Sequence, residues 1–225
     1  YMEDMHIHLK KGVNDYTIMK NYINKCIELK LDKVIFLDHG NRISEKHTPV
    51  LNDEKVIQKF LNLIEKAKQE YPNIKIYSGI EVDYSKDLDF QKREIKIMKS
   101  GFDYIMGSVH GIKNLTKEEY YKENLELIDS YPINILAHLK LYEDYLNYGE
   151  IIDKIIKKCK EKNIKIEINT SERSIWTEEQ FNYMIELLKK YKVSYTVGSD
   201  SHKVEELGTN YDVIGKRINA SICLQ

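Results

Sequence analysis

The sequence predicts an α/β protein built on a parallel sheet. Three observations carry this. Short apolar, β-branched runs alternate with longer segments of 3.6-residue apolar spacing. Seven such pairs fit into the 225 residues, and helix-capping signals fall at several of the joints. No Pro/Ser/Gly-rich linker, charge block or fixed-period repeat divides the chain, so a single domain over 1–225 is expected. Seven units suit a closed barrel or an open doubly wound sheet, and periodicity does not separate the two. Both put their chemistry at the carboxyl ends of the strands.

In chain order, the expected strands run from Met2 to His8, Lys33 to Asp38, Ile74 to Val82, Tyr104 to Val109, Asn134 to His138, Ile164 to Ile168 and Ser194 to Gly198. The first helix, Tyr16 to Lys30, gathers Ile18, Met19, Tyr22, Ile23, Cys26 and Ile27 largely on one face, with Lys20, Asn24 and Lys30 opposite. The same stripe runs through Glu54 to Glu70 and through Glu150 to Lys162. Asp53 is placed to cap the second helix. Thr116 with Glu119, and Thr177 with Gln180, have capping-box spacing before the fourth and sixth.

Composition narrows the function. With 42% hydrophobic and 32% charged residues the chain is of the globular class, and no apolar run approaches the ~18 residues of a membrane span. Thirty-five basic residues against 36 acidic ones leave a net charge of −1, which lends no support to general nucleic-acid binding. The expected partner is a small molecule, with no nucleic acid, no membrane, and a monomer or small homo-oligomer. Cys26, Cys159 and Cys223 form no C-x-x-C pattern and fit a reducing compartment. The segment Tyr1-Met2-Glu3-Asp4 does not read as a secretory signal, so a cytoplasmic location is expected.

The seven histidines carry the chemistry. Six fall at expected strand ends: His6, His8, His39, His110, His138 and His202. At period two, His6 and His8 face the same side and can chelate one cation. Glu81 with Asp83, and Asp200 with His202, repeat that spacing at two other strand ends. Each histidine taken alone is also explained as a structural side chain. Together at one mouth, five or six imidazoles and two carboxylates need cations to neutralise and organise them, and there are more histidines than one tetrahedral ion uses. At least two metals follow, with a carboxylate such as Glu81 bridging them.

In order, His6-x-His8, Asp38-His39, Gly79-Ile-Glu81, Gly107-Ser-Val-His110, Ala137-His138, Glu167-Ile-Asn169 and Gly198-Ser-Asp200-Ser-His202 resemble the PHP (polymerase and histidinol phosphatase) superfamily over nearly the whole chain. The third and fourth strand motifs are similar to its histidinol-phosphatase branch. The resemblance implies a distorted (β/α)7 TIM-like barrel and a trinuclear site of zinc, manganese or iron. It implies one metal on His6, His8, Glu81 and Asp200, a second on Glu81, His110 and His138, and a third on His39 and His202. Many members carry another histidine where Asn14 stands here, so two or three ions are expected. Asp15 stands either as a substitute ligand or as the N-cap of the first helix.

Water held between two cations and deprotonated is the expected nucleophile. Asp200 or His202 is the expected proton-transfer group. Arg42 and Arg173, two of four arginines, follow motif strands, and each is weighed as a phosphate clamp against a solvated loop charge. Lys113 and Lys140 are lesser candidates of the same kind. Glu167 is expected to orient a ligand histidine. Trp176 either roofs the pocket or packs at a helix start, and His47 matches no motif. The many tyrosines and lysines are treated as compositional bias. The leading expectation is a metal-dependent phosphomonoesterase acting on L-histidinol phosphate. The alternatives are a PHP-type protein-tyrosine phosphatase, another small-molecule phosphatase, or a noncatalytic metal-binding module.

Overall fold

The computed structural model describes residues 2–41, 50–110 and 112–223. Among them, seven parallel strands stand in sequence order in one sheet: β1 (Glu3–His8), β2 (Lys33–Leu37), β3 (Lys75–Asp83), β4 (Tyr104–Ser108), β5 (Ile135–Leu136), β6 (Lys165–Asn169) and β7 (Tyr195–Gly198). Seven α-helices follow them in turn: α1 (Tyr16–Glu28), α2 (Glu54–Glu70), α3 (Leu88–Met98), α4 (Lys117–Ser130), α5 (Gly149–Glu161), α6 (Glu178–Tyr191) and α7 (Tyr211–Cys223). The predicted elements are all present, and most ends agree within two residues. No described helix is long and apolar enough to cross a membrane.

The sheet curls into a nearly closed barrel. At the seam, the only backbone bridge between β1 and the β7 end among the described residues is Ile7 to Ser201, with the His8 amide donating to the Ser201 carbonyl at 2.9 Å. Below it, side chains of β1 take the place of a ladder. The Val197 amide donates to Glu3 Oε1 at 3.1 Å and the Ser199 amide to Asp4 Oδ1 at 2.9 Å. On the other edge, the β1–β2 register shifts between Asp4 and Ile7, the stretch that carries His6.

Met5, Ile35, Leu37, Met106, Ile135 and Ala137 fill the barrel interior, while a larger cluster packs the helices onto its outside. On α2, Ile57, Phe60, Ile64 and Ala67 are the buried face, each large side chain worth about 1.5–3 kcal/mol of burial. Asp53 caps α2, and Thr116 and Thr177 form complete capping boxes on α4 and α6, as their spacing predicts.

β5 is shorter than expected, two residues where five were predicted. His138 has φ +28°, which turns the chain off the ladder before the imidazole is reached. The barrel's polar residues therefore converge at one end, where β1, β3, β6 and β7 finish and where the chain leaves β2, β4 and β5.

Candidate metal centre

Four ligand atoms meet at the innermost point. His6 Nε2 and His8 Nε2 are 3.1 Å apart, Glu81 Oε2 is 3.2 Å from each, and Asp200 Oδ1 is 3.3 and 3.1 Å from them. The ring protons are accounted for behind this cage. His6 Nδ1 is 2.6 Å from Glu167 Oε1, and His8 Nδ1 is 3.3 Å from Asp38 Oδ1. With Nδ1 protonated, each ring turns an Nε2 lone pair inward. Two imidazole lone pairs and two carboxylate oxygens facing one point fit a divalent cation of the zinc, iron or manganese kind.

Glu81 also faces the other way. Its Oε1 lies 3.2 Å from His110 Nε2 and 2.9 Å from His138 Nε2. Behind His110, Asp83 Oδ1 is 2.5 Å from Nδ1. The two oxygens of Glu81 thus serve two ligand groups: His6, His8, Glu81 and Asp200 on one side, and Glu81, His110 and His138 on the other. Two more triads overlap these, His8 with His39 and His202, and His39 with Asp83 and His110. All six predicted histidines lie in this cluster.

Without a cation, protons must hold the carboxylates together. Burial alone would push the His8 ring down, but hydrogen bonds to the Asp200, Asp38 and Glu81 carboxylates outweigh it and hold the ring up at about 10. His6 rises in the same way, against its burial, through Glu167, Asp200 and Glu81. His110 is held at about 10 by Asp83 and Glu81 against burial. Burial would raise Glu81 and Asp200, yet the facing imidazoles keep both below the usual carboxylate range. His202 departs from the rest. Burial and the charge of His8 lower it to about 4, so it stays neutral at pH 7.

Glu167 does more than orient one ring. Its Oε1 faces His6, while its Oε2 accepts the His138 amide at 2.7 Å. Gly198 makes room for it, since a Cβ there would stand 2.5 Å from Glu167 Oε1 and 2.6 Å from His6 Cβ. Asp200 has φ +51°, so two residues of the cluster, His138 and Asp200, occupy backbone conformations that L-residues seldom adopt.

The remaining expected residues divide. Arg173 reaches the site, its Nη2 donating to the Asp200 carbonyl at 3.0 Å while the side chain stays 57% exposed. Asp15 does not join the cluster. It is exposed at the N-cap of α1, accepting the Thr17 and Ile18 amides, which leaves its carboxylate engaged with the helix end. Lys113 is exposed on the turn Ile112–Asn114 after β4 and belongs to none of the ligand groups. Lys140 is exposed with its ammonium over the Tyr142 ring. Trp176 packs into the core and donates to the Leu139 carbonyl at 2.9 Å. Arg42 and His47 lie outside the described residues.

Sequence reasoning placed Asp38 and Asp83 at strand ends without giving them rings to hold. The available signal was an acidic residue beside or two positions from a ligand at the same strand end. Glu94 was missed altogether. It is buried on α3, where it accepts the Asn41 and Asp83 amides at 3.0 and 3.3 Å, and burial pushes its carboxyl up to about 8.

The PHP domain family model matches residues 4–171. The chain belongs to the PHP domain family. A "Probable histidinol-phosphatase" of Clostridium acetobutylicum is 28% identical over 176 residues, covering 65% of this chain and 68% of the relative. A "Probable phosphatase" of the same organism is 26% identical over 98% of this chain and 86% of its own length. Among solved structures, the fold is similar to histidinol phosphate phosphatase from Lactococcus lactis, complexed with zinc, L-histidinol and phosphate. The TM-score is 0.70 at 21% identity, covering 96% of this chain and 93% of that one. A second solved structure, from Listeria monocytogenes, has TM-score 0.66 at 17% identity, covering 94% and 99%. This PHP member has the (β/α)7 architecture that the resemblance implied, with the barrel nearly closed.

Proposed function

We propose that this PHP-family chain is a metal-dependent phosphomonoesterase and that its substrate is L-histidinol phosphate. The observation that carries the reaction class is Glu81, whose two carboxylate oxygens face separate ligand groups within one buried cluster. His6, His8, Glu81 and Asp200 would hold one ion, and Glu81, His110 and His138 a second. His39 and His202 stand beside them for a third. Bound there, such ions acidify water and attract phosphate oxygens, which is the chemistry needed to cleave a phosphate ester.

The residues of the chain supply the rest. Arg173, anchored on the Asp200 carbonyl with most of its side chain exposed, offers donors to a phosphate at the mouth. Asp200 and His202 are the candidate proton-transfer groups, with His202 free for that role only where its site holds no third ion. The substrate assignment rests on likeness to histidinol phosphatases and on the third and fourth strand motifs. Buried free thiols at Cys26 and Cys159 support a cytoplasmic setting.

Turnover of L-histidinol phosphate, phosphotyrosine and nucleoside monophosphates, measured after loading with zinc, manganese or iron, tests both levels. Preference for L-histidinol phosphate is expected, with Arg173→Ala raising KM more than it lowers kcat. Hydrolysis of none of them would overturn the phosphatase reading. Preference for phosphotyrosine would overturn only the substrate.

A further inference from the structure

The segment that carries His138 forms no ladder of its own, yet six of its backbone polar groups over residues 138–142 are held by side chains from elsewhere. The His138 amide donates to Glu167 Oε2 at 2.7 Å. The Leu139 carbonyl accepts from Trp176 Nε1 at 2.9 Å. The Lys140 amide donates to the Tyr120 hydroxyl at 2.8 Å, and the Lys140 carbonyl accepts from the Tyr121 hydroxyl at 3.1 Å. The Leu141 carbonyl accepts from Gln180 Nε2 at 3.0 Å, and the Tyr142 amide points back to the Tyr121 hydroxyl at 3.4 Å. Tyr120 and Tyr121 are 2% and 0% exposed, and their rings pack edge-on with each other and with Tyr142.

This arrangement opposes a specific strain. His138 has φ +28°, a conformation that L-residues seldom adopt and that persists only where its surroundings over-determine it. That bend aims the imidazole at Glu81 Oε1 instead of along β5. A backbone amide and a backbone carbonyl of one residue, Lys140, are fixed by two adjacent residues of one helix, so α4 sets both the height and the tilt of the turn.

We propose that Tyr120 and Tyr121 are positioning residues for His138, their hydroxyls holding residues 140–142 so that the His138 ring faces Glu81. The proposal rests on the reading of His138 as a metal ligand. It gives a role to two of the tyrosines that sequence composition alone treats as bias. The rings fill the core, and the hydroxyls shape the second ligand group.

The test uses metal, not substrate. Cobalt(II) is titrated into metal-free Tyr120→Phe, Tyr121→Phe and the double variant, with visible absorption and chelator competition resolving each ion. Phenylalanine keeps the ring packing. Gln180→Glu, which keeps an oxygen for the Thr177 cap but loses the amide donor to Leu141, probes the same turn from α6. Tyr145→Phe, a buried tyrosine whose ring packs on Tyr183 and which has no hydroxyl contact to residues 138–142 among the described residues, is the control.

The expected result is selective. Affinity for the second ion falls about 10-fold or more, with a spectral change in the direction of His138→Ala, while the first ion and the Tyr145→Phe control stay as in the wild type. Unchanged affinity and spectrum in the double variant would overturn the proposal, and so would an equal loss at both ions, which is general loosening. If His138→Ala itself alters no metal signal, the ligand reading of His138 falls and the positioning role with it. Wild-type binding of two ions without phosphatase turnover would instead overturn the proposed function alone.

Discussion

His6, His8 and Glu81 stand on strands and are 0 to 1% exposed, whereas His110 and His138, which meet the other oxygen of Glu81, follow strand ends and are 20% and 14% exposed. On the inner side, three of the four ligands lie on strands, Asp200 sits at φ +51° just past β7, and carboxylates from β6 and the end of β2 fix the two rings. On the outer side, a bent backbone points His138, its turn held by Glu167 of β6 together with side chains on α4 and α6, while Asp83 at the end of β3 fixes the His110 ring. His6, His8 and Glu81 are thus set by the barrel strands themselves, while both outer histidines depend on the turns after their strands, which are easier to perturb singly.

The largest effect is expected at the shared residue. Glu81→Gln should remove binding at both groups and abolish turnover, read by metal content and activity together. Retention of two tightly held ions would break the picture of one carboxylate serving both sides.

Glycine substitutions separate the sides next. Gly198→Ala drives a Cβ against Glu167 and His6, at 2.5 and 2.6 Å, and should cost about 1–3 kcal/mol while disabling the inner cage. Gly107→Ala on β4 meets Ile133 Cγ2 at 2.8 Å, in the packing outside the barrel, and should destabilise while metal content holds. Denaturant unfolding and metal analysis on both variants check this pairing. Equal metal loss in the two would erase the distinction.

Asp83→Asn should act on the outer side only. Its carboxylate is 2.5 Å from His110 Nδ1, and weakening such a partner typically costs 10–100-fold in affinity. Chelator competition should find the loss in one ion.

The smallest effect is a pH slope behind the outer side. Glu94 has its carboxyl pushed by burial to about 8, above its ordinary 4.5. The folded chain therefore keeps a proton that the unfolded chain releases between these values. Stability from this residue is lost as pH rises through that window, at no more than about 1.4 kcal/mol per pH unit. Glu94→Gln removes the slope, so the variant should gain on the wild type from pH 5 to pH 8 in urea titrations. A constant difference would show that Glu94 ionises freely.

Most of the fold was legible because each strand and helix announces itself locally, through β-branched runs, 3.6-residue stripes and caps such as Thr116 and Thr177. β5 was overextended because the bend at His138 is imposed from outside, by Glu167 and the hydroxyls of α4, and leaves no periodic trace. The residues that gather in the cluster were legible from types and spacing at strand ends. Their partners were less so. Asp38 and Asp83 were visible as acids but not as ring holders, since that depends on which strand lies beside which. Asp15 stood open between ligand and N-cap, and the helix end has it. Its place near the motif suggested a ligand, while the simpler demand of two unpaired helix amides had already claimed it.

The seam of the barrel has one consequence for folding. Where β1 meets β7, one backbone bridge and the carboxylates of Glu3 and Asp4 do the work of a ladder, and the inner cage straddles that gap, with His6 and His8 on one edge and Asp200 on the other. A cation gripped there is a removable cross-link between positions 6 and 200, closing a loop of nearly the whole barrel. Losing it would free the most distant segments of the chain from one another, which would couple metal supply to the persistence of the barrel through one point.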